Sequence, residues 1–445
     1  MPPPPNPNID GGWGWAVVFS TFTVRFISHG MIYTFGIYYV EFRKYFGTTS
    51  GAASLVMSIL VGMTNIVGPI SSALVNKYSC RTVSLMGSAI SCIGLLLSLA
   101  APRIEYLYVT LGVITGFGFG LLYLPTITSV AMHFENKRAT AMGISSSGSG
   151  VGSLVLAPLT EWLIDYYYYW KGAILITTGI IMHCFVLSLF YCEKAFFVRR
   201  NESVEDSRVE PESDSSPISS NSLESNKTKE NVRNLRTDPG EKLRLYYSSS
   251  LSEQDLARTS MLPLEALCPN EEKKNKCLKL LKSLYKILGL PLLKDYVFLI
   301  FSLSRLLQYL GVMTPSVYLY DRALKLGIAT NLQASFLISL IGVSNTLGKI
   351  LFGIFADLTS WNVLYIYAIC LLINGISTMM TSLITHYYSM AIYSFVFGLT
   401  FGATSNLTSI VLVELFGLKA LTNSYGLVFL FTGLAITIGS PVPGE

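Results

Sequence analysis

Four ionisable side chains interrupt long apolar runs in this chain: Arg25, His29, Arg305 and Lys349. Arg25 falls about twelve residues into the first such run and Arg305 about ten into the seventh, near mid-depth of a membrane at a rise of about 1.5 Å per residue. His29 follows Arg25 at i+4, so the two project from one helix face. Lys349 sits deep in the eighth run, in SNTLGKILFGIFAD. Ionisable groups at such depth are costly and mark solute or ion paths by default. Three cations and an imidazole with no carboxylate at similar depth repel one another unless they hold an anion. The chemistry they suit is electrostatic capture of a carboxylate-bearing solute. The structural alternative is that Arg25 or Arg305 bonds the carbonyls of a broken helix or lines a water cavity. His29 titrates nearest neutrality, yet a histidine packed on a hydroxyl reads the same way. No Ser/His/Asp set, phosphate loop, cofactor motif or metal-ligand spacing occurs in the runs, so no enzyme chemistry is expected.

The elements that hold these residues follow from composition. Of 445 residues, 51% are apolar and 13% charged, against about a quarter charged in soluble domains. Between Glu193 and Asp295 lie 35 of the 59 charged residues; the other 24 are spread over the rest of the chain. That rest cannot solvate a folded surface of its size, which excludes a soluble enzyme, a nucleic-acid binder and a secreted scaffold. The formal net charge of +5 forms no basic stripe with interleaved aromatics. Cys80, Cys92, Cys184, Cys192, Cys268, Cys277 and Cys370 show no metal or redox spacing. The opening MPPPPNPNID lacks a signal-peptide pattern, so the first apolar helix is itself the targeting signal.

About 20 apolar residues cross a bilayer. That rule predicts spans near 13–40, 52–76, 82–101, 106–132, 139–163 and 171–192, then near 295–320, 333–357, 362–384, 387–413 and 418–440. The organisation expected is a terminus over 1–12, a six-helix half over 13–192, a loop over 193–292 and a second half over 293–445 with five spans. The loop is rich in Ser, Glu and Asn, with few groups to bury, so disorder is expected. Its basic flanks, among them Arg199, Arg200, Lys273 and Lys274, put it on the cytoplasmic side. Six spans precede it, so the N-terminus shares that side. The sequons at Asn201 and Asn226 then escape glycosylation.

The halves repeat. Gly116 and Gly120 of GFGFGLLYLP correspond to Gly398 and Gly402 of GLTFGATSN at an offset of 282 residues, and Lys137-Arg138-Ala139 answers Leu418-Lys419-Ala420. Paired halves around a cytoplasmic loop resemble the architecture of the major facilitator superfamily. Asp10-Gly11-Gly12-Trp13-Gly14-Trp15 at the first span resembles a signature of the monocarboxylate transporter family. So does the stretch from His133 through Lys137 and Arg138 to Gly143. Tyr169-Trp170-Lys171-Gly172-Ala173, Pro315-Ser316-Val317-Tyr318-Leu319 and Asp321-Arg322-Ala323 are also similar to family segments.

The resemblance implies an all-α membrane protein with the major facilitator fold, two six-helix halves, and small carboxylates moved through the plasma membrane, often with a proton. Expected partners are a small organic anion or monocarboxylate, protons, the lipid bilayer and a single-span ancillary subunit. Here eleven spans are readable, and Ile438 to Glu445 stands where the family finishes its eleventh span and begins another. A truncated gene model or splice product is the expected explanation. Well-known members carry Asp and Arg four residues apart in the eighth span and a Lys in the first; this chain has Asn345, Lys349 and Tyr33 there. Asn345 takes up no proton, which puts obligate coupling at that site in doubt, and Lys349 is a point charge where Arg is a fork. Arg25, His29, Tyr33, Arg305, Asn345 and Lys349 are thus the expected substrate residues.

Trp13 and Trp15 read as interface anchors, Gly143, Gly148 and Gly152 as sites of close backbone approach, and Lys137 and Arg138 as topology and state-locking charges. Asp357 resembles a cytoplasmic turn charge of the superfamily's gating motif. Glu161, Asp165 and His183 are expected at a cavity side or interface, and Tyr166 to Tyr169 in an aromatic belt. Two other readings stand beside carboxylate transport: a facilitator of zwitterionic or aromatic solutes, and a non-transporting sensor or regulatory partner.

Overall fold

Apolar runs of this length satisfy their backbone groups internally only as helices when no water is at hand. Eleven helical segments form at the expected places in the computed structural model, which describes residues 10–167, 169–191, 285 and 288–439. They are α1 (Trp13–Phe46), α2 (Ser50–Ile66, resuming after Val67 as Gly68–Lys77), α3 (Cys80–Ser98) and α4 (Ile104–His133). Then come α5 (Arg138–Tyr167), α6 (Trp170–Ser188), α7 (Tyr296–Lys325) and α8 (Asn331–Leu358). The last are α9 (Val363–Met380), α10 (Tyr387–Phe416) and α11 (Leu421–Gly439). Among the described residues every regular element is helical. The segment 193–284 with its sequons, Cys192, Cys268 and Cys277, the side chains of 315–318 and Asp321, and the residues from Ser440 onward lie outside the described residues.

Nine helices among the described residues are long and apolar enough to cross a membrane. The other two differ for visible reasons. The first half of α5 is a Gly/Ser stretch, ISSSGSGVGS, and α7 is apolar only over Tyr296–Gly311. Polarity is inverted relative to a soluble protein. Ser84, Ser88, Ser91, Thr126, Ser145 and Thr404 are buried, while Phe19, Ile93, Met182, Ile300, Leu372 and Ile392 face outward. His183 stands on that outer face beside Met182 and Val186, and Glu161 and Asp165 are exposed near the end of α5.

Helix ends are capped locally where the turn residues permit. Thr49, Ser79 and Asn362 accept from backbone N–H groups two or three residues on, and Thr330 with Gln333 closes a capping box. Gly47 ends α1 with φ 60°, a left-handed conformation that suits glycine.

The internal repeat is visible in the packing. Gly116 and Gly120 of α4 lie against the carbonyls of Leu60 and Thr64 on α2; Gly398 and Gly402 of α10 lie against those of Ile341 and Asn345 on α8. Each pair lets two backbones approach where a Cβ would collide. Two seams join the halves, α5 to α8 and α2 to α11. Glycines line both: Gly143 meets the Lys349 carbonyl, and Gly68 meets that of Gly426. Gly148 and Gly152 bring α5 onto the Phe22 and Phe26 carbonyls of α1.

Candidate functional site

Side A denotes the end of the bundle carrying the start of α1, the α4–α5 turn and the end of α8; side B is the opposite end. Arg25 on α1 is only 3% exposed. Its Nε donates to Thr126 Oγ1 on α4 at 2.8 Å, and the guanidinium lies 5.1 Å from the centroid of the Tyr123 ring. Nη2 is buried without a hydrogen-bond partner among the described residues. His29, one turn on, packs on the same ring at 4.3 Å, with its Nδ1 3.3 Å from Ser28 Oγ. Tyr123 also stacks on Phe429 of α11 at 4.8 Å, and Phe429 meets Tyr425 edge-on at 4.6 Å. One tyrosine thus joins a cation of the first half to an aromatic pair of the second.

Arg305 on α7 is 2% exposed. It donates from Nη1 to Gln308 Oε1 at 2.7 Å and from Nη2 to the Tyr309 hydroxyl at 3.2 Å, and sits 4.7 Å from the Tyr309 ring centroid. Gln308 in turn donates to Thr404 Oγ1 of α10 at 2.9 Å. The Tyr367 hydroxyl of α9 lies beside the guanidinium outside hydrogen-bond geometry, and Arg305 Nε has no hydrogen-bond partner among the described residues. Lys349 on α8 is 8% exposed and reaches across the seam to Ser149 Oγ at 2.8 Å and the Ser146 carbonyl at 3.4 Å, both on α5.

Arg25 is the link between the other two cations. Tyr123 and Tyr425 each lie within electrostatic reach of both Arg25 and Arg305, and Lys349 within reach of Arg25 and His29. Their bonded partners are hydroxyls, a side-chain amide and a carbonyl, all neutral. Tyr33, two turns beyond Arg25 toward side B, is 56% exposed while Tyr123 and Tyr309 face it from α4 and α7. Its exposed surface therefore lies inside the bundle. Asn345 is half-buried one turn before Lys349.

Sequence reasoning missed Tyr123, Thr126, Gln308, Tyr309, Ser146 and Ser149. Gln308 and Tyr309 follow Arg305 at i+3 and i+4, a spacing readable in advance. The partners on α4 and α5 carry no charge and gave no comparable signal.

On side A a second set of polar contacts grips the α4–α5 turn. Asp10 accepts from the backbone N–H groups of Glu135 at 2.8 Å, Asn136 at 3.0 Å and Lys137 at 3.2 Å. Burial pushes its carboxyl up, but these N–H groups and the Asn136 amide outweigh burial and hold it below the ordinary range. Trp13 donates its indole N–H to the Phe190 carbonyl at 3.1 Å and stacks on that ring, and Trp15 meets Phe134 edge-on at 5.2 Å. Beyond any interface role, the DGGWGW signature is a clasp. Arg138 Nε donates to the Ala131 and Phe134 carbonyls, satisfying the end of α4.

Asp357, from the end of α8, accepts from the N–H groups of Ala139 at 3.0 Å and Thr140 at 2.6 Å. The first turn of α5 is thus capped by the other half of the molecule. Asn406 of α10 adds a bridge, donating to the Ala139 and Lys349 carbonyls at 3.2 and 3.1 Å. The other seam is tied at the same end by Asn76 Nδ2 donating to Asn423 Oδ1 at 2.6 Å.

Comparisons with known proteins meet this geometry. A family model described as Major Facilitator Superfamily matches residues 21–442. Monocarboxylate transporter 12 of Xenopus laevis is 30% identical over 437 residues, covering 98% of this chain and 83% of that protein. Monocarboxylate transporter 9 of Mus musculus is 29% identical over 457 residues, covering 98% and 87%. Among solved structures, the proton:xylose symporter XylE bound to 6-bromo-6-deoxy-D-glucose superposes with a TM-score of 0.64 over 97% of this chain and 89% of that one. At 13% identity that likeness speaks for the fold alone. Helices repeated in two halves, a signature that clasps its own bundle and matches along almost the whole chain lead to one conclusion: this is a multi-pass membrane transporter of the Major Facilitator Superfamily, and it belongs to the monocarboxylate transporter family.

Proposed function

We propose that the chain is a plasma-membrane secondary transporter of monocarboxylates or related small organic acids, working by alternating access. The observation that carries this reading is that Arg25 and Arg305, from opposite halves, share Tyr123 and Tyr425 as neighbours while Lys349 lies within reach of Arg25, with neutral bonded partners among the described residues. A buried cation without a counter-charge is costly, and a carboxylate entering the site supplies one. Tyr33 and Asn345 add hydrogen-bonding groups, and His29 presents an imidazole within reach of Arg25 and Lys349. With side A cytoplasmic, as the basic flanks of the long loop indicate, the ties at Asp357 and Asn76 close the cytoplasmic end. The accessible Tyr33 then marks an approach from outside, as in an outward-facing state.

Uptake of labelled lactate, butyrate and benzoate into proteoliposomes at two pH values tests the reading. Uptake of at least one acid is expected, with loss in Lys349→Ala and Arg305→Ala at unchanged protein content. Normal transport by both variants would show that the site lies elsewhere. Uptake of none of the acids, beside uptake of a zwitterion such as betaine, would favour the neutral-solute alternative.

A further inference from the structure

The charge count of this site goes beyond what one carboxylate can answer. Guanidinium groups stay protonated in proteins, so Arg25 and Arg305 bring two permanent positive charges whatever the state of Lys349. Each is almost wholly buried, and each keeps a buried nitrogen without a hydrogen-bond partner among the described residues: Nη2 of Arg25 and Nε of Arg305. Their positions are related by the internal repeat. Arg305 follows Arg25 by 280 residues, close to the offset of 282 that relates the glycines of α4 and α10, and both lie on the first helix of their half. Each carries an aromatic ring at i+4, His29 and Tyr309. Two similar anchors on opposed halves, joined through Tyr123, Phe429 and Tyr425, suit a solute with two similar ends.

We propose that the preferred solute of this site is a small organic dianion, an α,ω-dicarboxylate, with one carboxylate on Arg25 and the other on Arg305. The proposal rests on the organic-anion reading above and narrows it. A monocarboxylate bound at either arginine leaves the other guanidinium buried and unanswered, which costs affinity. A bidentate fork meets a carboxylate edge in a fixed geometry, so two forks also select the length of the chain between the charges. Lys349, held by Ser149 and the Ser146 carbonyl, lies within electrostatic reach of Arg25.

The test uses the full chain in lipid nanodiscs and follows thermal unfolding in titrations with malonate, succinate, glutarate and adipate. Butyrate is the monoanion reference, all at equal ionic strength and pH 7.4. At least one dicarboxylate is expected to reach half-maximal stabilisation at a concentration ten-fold or more below butyrate. Arg25→Gln and Arg305→Gln should each abolish that advantage, weakening the dicarboxylate at least ten-fold more than they weaken butyrate. Arg305→Lys, which keeps the charge, should retain part of it.

Equal ranking of mono- and dicarboxylates in the unaltered protein overturns the proposal whatever the variants do. So does an Arg305→Gln protein that keeps the dicarboxylate advantage. If acids of neither charge stabilise the protein, the organic-anion reading itself fails, an outcome distinct from the other two.

Discussion

Replacing Asp357 by alanine should release the side A end of the α5–α8 seam. The native carboxylate accepts two backbone N–H groups, at 3.0 and 2.6 Å, on the first turn of a 30-residue helix. Hydrogen bonds to a charged group contribute about 1.5–3 kcal/mol each, and a carboxylate at a helix N-terminus adds about 0.3–1 kcal/mol. Asp357 is only half-buried. Solvent and salt reduce the total, and water satisfies part of what the variant loses, so a net effect of about 2–3 kcal/mol is reasonable. If that free energy favours only the form closed at side A, its loss shifts the equilibrium about 30- to 150-fold toward the form open there.

The assay is alkylation of a cysteine at position 146 in a protein whose other cysteines are replaced. Ser146 is buried on α5, bonded to Asn406 and adjoining Lys349, about 12 Å from the start of the helix at 1.5 Å per residue. A membrane-impermeant thiol reagent applied from side A should label Ser146→Cys slowly with Asp357 present and at least ten-fold faster in Asp357→Ala. Equal labelling rates in both would refute the idea that this cap holds the halves together.

Other consequences are testable with the same material. Asp10→Ala should leave three N–H groups of the α4–α5 turn without their carboxylate and lower the melting temperature by several degrees, from about 1–2 kcal/mol lost. Because the Asp10 carboxyl is held below its ordinary value, its contribution is complete above about pH 4 and is lost as pH falls through the lowered value. The melting temperatures of native and Asp10→Ala proteins should therefore differ at pH 7 and converge in acid; a constant difference would contradict this. Gly148→Ala sets a Cβ against the Phe22 carbonyl, so α1 and α5 must part. A loss of about 1–3 kcal/mol is expected, read as reduced thermal stability in detergent, whereas Gly179→Ala, with nothing near its Cβ position, should be neutral. Tyr123→Leu removes the ring shared by Arg25, His29 and Phe429, and should raise the KM for a transported acid at least several-fold with normal membrane insertion.

Much of the fold was legible because lipid imposes a single strong rule on helix length and polarity. Nine of the helices among the described residues lie where long apolar runs put them, α5 and α7 form near the expected positions on more polar sequence, and the glycine repeat recurs as matched contacts of α4 on α2 and α10 on α8. Charged groups of the site were legible for the same reason: Arg25, Arg305 and Lys349 stand out against apolar surroundings. Their neutral partners were not. Tyr123 and Ser149 look like any other residue of a span, and only the crossing of helices from distant parts of the chain makes them neighbours. Asp10 and Asp357 illustrate a different limit. Both act chiefly on backbone N–H groups, which every residue has, so apart from Asn136 the side chains of the turn at 134–140 announce no recipient. Asn345 shows what a resemblance alone can say: it marks where the family pattern leads one to expect an acid, and nothing about what the remaining positive charges hold.

The most direct measurement is an electron cryo-microscopy map of the protein in nanodiscs with a transported acid at saturating concentration. Density for the acid should lie between α1 and α7, in contact with Arg25 or Arg305 and bordered by Tyr123. Density confined to another part of the bundle, with both guanidiniums unchanged and solute-free, would contradict a shared cationic site.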